Sequence, residues 1–157
     1  MKIFPIAFIL TAALILSGCG SGRPKQKADP SASAQGTLDR NPITEKYWKL
    51  VTLEGQKVTM APNQEREIYF MLKTDQNRVT GFAGCNTFNG TYTLEKGQRI
   101  RFSPLAATLK ACPDVDAKES EFFKIFELAD NYSISGDTLS LNIGRRAPLA
   151  VFEAVYF

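Results

Sequence analysis

The 157-residue sequence contains no histidine. That absence removes the usual base of nucleophilic triads, the commonest metal-binding side chain and the only group that titrates unperturbed between about pH 5 and 8. Cysteine is scarce, with three residues at positions 19, 85 and 112 and no Cys-x-x-Cys spacing, which argues against a thioredoxin-like pair. No glycine loop followed by Lys-Ser/Thr is present to cradle a phosphate, and no spaced acidic run resembles a calcium loop. No cofactor and no metal are therefore expected. Charge of one sign is also missing: from Pro42 to Phe157 there are 14 Lys+Arg and 14 Asp+Glu, so the formal +3 comes from the residues before Pro42. Nothing in this balance resembles the clustered basic face of a nucleic-acid binder. Long apolar runs are lacking as well. The longest, Ile3 to Leu16, is interrupted by Pro5 and Thr11 and, as a helix, would reach about 21 Å, short of a hydrocarbon core of about 30 Å.

That short run nevertheless has a shape. Met1-Lys2 gives it a positive start, small residues follow it, and Leu16-Ser17-Gly18-Cys19 resembles the lipobox of a bacterial lipoprotein. The resemblance implies that residues 1–18 are a signal peptide, that the Cys19 thiol is alkylated by a diacylglycerol, and that the new amine is acylated in turn. At about 0.8 kcal/mol per buried CH₂, two or three chains make such an anchor effectively permanent. Gly20, rather than Asp, after the lipidated cysteine resembles the pattern sent to the outer membrane, facing the periplasm, in a Gram-negative cell. Residues 19–41 then form the lipidated cysteine and a linker. From Gly20 to Asn41 the linker is mostly Gly, Ser, Ala, Pro and Lys, with Leu38 its only large apolar residue, too little to offset the entropy of ordering. As a flexible coil it reaches about 26 Å and lets the domain sit clear of the headgroups. Arg23, Lys25 and Lys27 are either solvated linker charges or weak contacts to anionic lipid, about 1 kcal/mol each.

Residues 42–157 are long enough for one domain with a real core, and read as monomeric. Tyr47 to Leu53 alternates, with Trp48, Leu50 and Thr52 on one face, and Glu54-Gly55-Gln56 turns it into Lys57-Val58-Thr59-Met60. Glu67 to Lys73 places Ile68, Phe70 and Leu72 together. Thr74-Asp75-Gln76-Asn77 then supplies turn formers before Arg78 to Phe82. Tyr92-Thr93-Leu94 and Ile100-Arg101-Phe102 flank a further turn, Ile134 to Ile143 forms a hairpin about Ser135-Gly136-Asp137, and Leu149 to Phe157 closes the series. One segment breaks the period: Phe122, Phe123, Ile125, Phe126, Leu128 and Ala129 recur at helical spacing. Asp116 and Glu119 fit a capping box for a helix from about 117 to 130. The class is α+β: a strongly curved antiparallel sheet, a half-barrel, packed on one main helix.

Cys85 and Cys112, an even number in a compartment that oxidises thiols, read first as a disulfide closing a loop of about 28 residues. Two buried free thiols or a reactive thiol are the alternatives, the last without any histidine base. Around them, Gly81-Phe82-Ala83-Gly84-Cys85-Asn86-Thr87-Phe88-Asn89-Gly90-Thr91-Tyr92 is followed by Ala107-Thr108-Leu109-Lys110-Ala111-Cys112-Pro113. This pattern resembles the META domain family, also called HslJ-like, and the resemblance extends over nearly everything from Tyr47 to Phe157. The motif residues Gly81, Gly84, Asn86, Phe88, Gly90, Tyr92 and Thr108 read as structural. Gly84 and Gly90 permit backbone conformations closed to other residues, Asn86 and Asn89 bond loop backbone, and Thr108 bonds backbone on the way to the helix. A surface loop presented to a partner is the alternative.

The resemblance carries no enzymatic reaction. It implies association with heat shock, envelope stress and antibiotic tolerance. The expectation is a non-catalytic binding or structural module, held on the membrane through lipidated Cys19, that contacts an envelope protein or the cell wall. Two carboxylates brought together by the fold are the one catalytic arrangement left open. A small carrier of lipid or another apolar ligand is the alternative function, because a bent sheet can open an apolar cavity. Another is a chaperone of a membrane component, since such sheets also resemble the pilotins of secretion systems.

Overall fold

The structure, a computed structural model, describes residues 42–113, 115 and 118–157. The expected leader, Cys19 and the linker lie outside the described residues, as do Asp114, Asp116 and Ala117. Ten strands, one α-helix and a short 3₁₀ turn at Asp75–Asn77 follow among the described residues: β1 Tyr47–Leu53, β2 Gln56–Lys57, β3 Tyr69–Lys73, β4 Arg78–Phe82, β5 Thr87–Glu95, β6 Arg99–Phe102, β7 Ala106–Ala107, α1 Glu119–Leu128, β8 Asn131–Ser135, β9 Thr138–Asn142 and β10 Ala150–Val155.

Alternating burial explains why these segments pair as they do. Phe70 and Leu72 of β3, Leu139 and Leu141 of β9, and Ala150 and Phe152 of β10 are wholly buried, while their neighbours in sequence, apart from buried Asn142 at the end of β9, face outward or sit half-buried. The curvature goes further than a half-barrel. Every strand pairing is antiparallel, in the order β10-β9-β8-β6-β5-β4-β3-β1, and β10 pairs with β1, so eight strands close a barrel. Closure is firm at β1–β10, from Tyr47↔Val155 to Leu53↔Ala150. It is thin at β6–β8, where Arg99↔Asn131 is the paired position and two further bonds, Tyr132 N to Gln98 O and Ile100 N to Asp130 O, hold the join.

Three details differ from the sequence reading. Register slips between Leu50 and Thr52, so Val51 is an extra residue and Leu53 enters the core where strict alternation predicts Thr52. The second strand of the first hairpin stops at Lys57, and Gln64 clips the loop beyond it by accepting from Ala61 N and donating to Arg66 O. The helix is shorter than 117–130: it begins at Glu119 and ends where Ala129 turns extended.

The helix fills the barrel with aromatic rings. Phe126 meets Phe70 of β3, Phe88 of β5 and Phe102 of β6 at centroid distances of 5.5, 5.3 and 4.9 Å, and Phe122 reaches Phe152 of β10 at 6.4 Å. The contacts of Phe126 with Phe70 and Phe102 are edge-to-face, the arrangement favoured by the ring quadrupole, and the other two are tilted. One face of one helix therefore touches strands all around the barrel.

Candidate functional site

Cys85, Asn86, Thr108 and Cys112 converge where β4 leaves the barrel and α1 begins, whereas Tyr92 lies toward the opposite end of β4, against Lys73. Gly81 to Asn86 are all buried. Gly84 has φ of +111°, a conformation that side chains with a Cβ rarely adopt, and the turn it allows is closed by Ala83 N donating to Asn86 O. Cys85 and Cys112 are joined in a disulfide with Cα atoms 6.0 Å apart, which fixes this turn to the segment that leads to the helix.

Asn86 is the hub. Its Oδ1 accepts from Thr108 Oγ1 at 2.8 Å and from Lys110 N at 2.7 Å, while its Nδ2 donates to Glu119 Oε2 at 2.8 Å and to Lys110 O at 3.4 Å. Glu119 completes the knot: its Oε1 accepts from the backbone N–H groups of Cys85 and Asn86 at 3.1 and 2.7 Å. Every donor and acceptor of the amide is thus used within the protein, leaving none to offer a ligand.

This geometry corrects several expectations. Asp116, the proposed start of the capping box, lies outside the described residues, and the cap position is Lys118, which makes no side-chain cap bond. Glu119 reaches back to the 85–86 turn because two backbone donors and a side-chain amide await a carboxylate there. The Thr108 hydroxyl bonds the Asn86 side chain rather than backbone, and its N–H donates to Thr87 O at 3.0 Å. Asn89 and Gly90 lie within β5 and not in a loop, with Asn89 exposed and Gly90 packed close under Leu105, whose Cδ2 would have to give way to a Cβ at 2.7 Å. Gly81 faces Phe88 across the β4–β5 pair, and a Cβ would meet the Phe88 ring at 2.5 Å and collide with Tyr69 O. Phe88 lies over that gap and packs on Phe122 and Phe123. Tyr92 is buried with its hydroxyl donating to Lys73 O at 3.2 Å; burial, and then the charge of Glu45, raises its pKa.

The motif is therefore an internal fastening, and the concave surface lies beside it. A groove of about 430 Å³ runs between the β1–β2 hairpin and the start of α1, floored by Leu53, Val58 and Ile68 and edged by Glu54, Lys57, Lys118 and Glu121. Nothing in the sequence marks it, because its residues come from three separated segments and none belongs to the motif. Among the described residues, no three His, Cys, Asp or Glu side chains converge as metal ligands.

Comparison with known proteins agrees with the fold. An NMR structure of a protein from Burkholderia xenovorans is similar over 72% of this chain and 83% of that one, with a TM-score of 0.57 and 22% identity. A second NMR structure is similar over 71% of this chain and 90% of the other, with a TM-score of 0.54 and 15% identity. At these identities the likeness shows the fold alone. No curated protein matches the sequence. The META domain family model, by contrast, matches residues 41–156. Since that stretch is well over half of the sequence and holds the barrel, the disulfide and the Asn86 knot, the chain belongs to the META domain family.

Proposed function

We propose that this protein is a membrane-anchored envelope lipoprotein whose META domain binds another envelope component, a protein or the cell wall, and performs no catalysis. The observation that carries the reading is the use made of the motif: Cys85, Asn86, Thr108 and Glu119 are spent on one another, and what remains open to solvent is a mixed apolar and charged groove. An apolar floor with both Lys57 and Lys118 and both Glu54 and Glu121 at its edges suits a protein segment better than a small acid or a nucleotide. The lipobox-like Leu16 to Cys19 supports the anchor, and the long polar linker supports reach toward a partner. A role in envelope stress or antibiotic tolerance follows from the family resemblance. The carrier alternative has less support, since the rings of Phe70, Phe88, Phe122, Phe126 and Phe152 occupy the interior where a lipid would lie.

The test is photo-crosslinking in cells from Thr59, which is exposed and lines the groove, with Arg101 as an exposed control away from it. A partner captured repeatedly from Thr59 and not from Arg101, together with loss of envelope-stress survival on deletion, is the expected result. Capture of nothing consistent and unchanged survival would refute the binding role. Mass spectrometry of the mature protein checks the anchor separately, as acyl mass on a new amino terminus at Cys19.

A further inference from the structure

We propose that the rim of the barrel carrying Lys46, Tyr156 and Phe157 docks onto the headgroup layer of the bilayer that holds the anchor. This inference rests on the lipoprotein reading above. Tyr156 is 64% exposed and Phe157 fully exposed, beside Tyr47, which Phe157 meets edge-on at 5.4 Å and which stacks on Tyr69 at 4.1 Å. Lys46 Nζ lies 5.5 Å from the Trp48 ring and 5.9 Å from that of Tyr156. Each neighbouring carboxylate already has a partner, though two of them sit on the rim itself, Asp137 with Tyr156 and Glu67 with Tyr47. Glu45 pairs with Lys73 and accepts from Thr74, and Asp137 accepts the Tyr156 hydroxyl at 2.5 Å. Among the described ion pairs Lys46 has no carboxylate partner, so it is available to a lipid phosphate. Aromatic rings with polar tips next to a lysine make up the composition that proteins place at membrane–water interfaces.

What selects a bilayer as the occupant is where the chain joins this rim. The described chain begins at Pro42, and Ile43 is fully buried with its carbonyl accepting from Trp48 Nε1 at 2.8 Å, while Glu45 N donates to Leu72 O. The described chain thus starts beside the rim itself. The 22 residues Gly20–Asn41 separate Cys19 from this rim in sequence, a tether length that corresponds to an effective concentration at the bilayer in the millimolar range. Contacts too weak to hold a free domain are enough under those conditions. Along β1 the rim and the groove at Leu53 are about 20 Å apart, so docking the rim leaves the groove facing away from the membrane.

The chain's only tryptophan, Trp48, lies directly beneath this rim and reports on it. The full lipidated protein would be reconstituted into phosphatidylethanolamine–phosphatidylglycerol vesicles, with and without a nitroxide on the lipid headgroup. Flotation and Trp48 fluorescence would be measured together. Flotation with strong quenching is expected, the docked population falling about tenfold in Y156S/F157S and in K46E. Flotation without quenching would overturn the docking and leave the anchor standing, whereas failure to float would remove the anchor and the docking with it. Quenching that persists in both variants, with the barrel intact by near-ultraviolet circular dichroism, would also overturn the assignment to this rim.

Discussion

At the scale of single residues, Asn86 ties together three stretches of chain that are far apart in sequence: its own turn, the Thr108–Lys110 segment and the first residue of α1. Replacing it with alanine strands the Lys110 N–H and one oxygen of Glu119, so N86A is expected to destabilise by about 3 kcal/mol in urea unfolding. If its role were recognition, stability would hold and partner capture would fail. At Gly81 the difficulty is space. In G81A the new methyl must displace either the Phe88 ring or the β3 backbone, and a loss of about 3 kcal/mol is expected from the same measurement, because neither neighbour is the loose end of a flexible side chain. The sequence displayed both residues within a conspicuous run of glycine, cysteine and asparagine. It concealed Glu119, because a glutamate three places after an aspartate, at the start of an apolar helical run, has the same local pattern whether it caps the helix or bonds a turn 33 residues away.

At the scale of elements, α1 works as the plug of the barrel. Phe126 touches rings from three strands, so F126A opens a cavity that the stiff sheet cannot close, and thermal and denaturant unfolding should register a loss of about 3–5 kcal/mol. The segment before β1 is pinned differently, by the Glu45 carboxylate on the β3–β4 turn. The Thr74 N–H, and after it the Lys73 side chain, hold the pKa of Glu45 below its ordinary 4.5. A carboxylate with a depressed folded value stabilises fully above 4.5, and that contribution is lost as pH falls through the lower folded value. The melting temperature should therefore decline below about pH 4.5, and decline less steeply in E45Q. Some slope should remain in that variant, because Asp130 is held down in the same direction by the Gly144 N–H and the Asn131 amide. The helix and most strands were legible from their periods, but the first half of β5 read as a loop and β7 left no pattern to read. The bulge at Val51 was not, since an extra residue leaves no mark in an alternating sequence until the partner strand is known.

At the scale of the whole molecule, the disulfide and the barrel's closure act on different parts of the chain. Cys85–Cys112 spans 27 positions, and loop entropy puts its worth at roughly 3.5 kcal/mol, so reduction should lower the unfolding midpoint by a corresponding amount. An unchanged midpoint in C85A/C112A would show that the Asn86 and Glu119 bonds hold the loop unaided. The bent sheet and its helix could be read from sequence, but closure could not, because it depends on how far curvature accumulates over eight strands. That closure has a kinetic side. The six-position seam between β1 and β10 joins the first strand of the barrel to the last, so during synthesis β1 must wait for almost the entire domain before it meets its partner. Until then two strand edges stand open, and pairing across so long a separation is slow. A chain shortened before Leu149 would keep its glycine and cysteine motif and most of its strands, yet it would hold those edges open permanently, and it should accumulate as aggregate rather than as a smaller barrel.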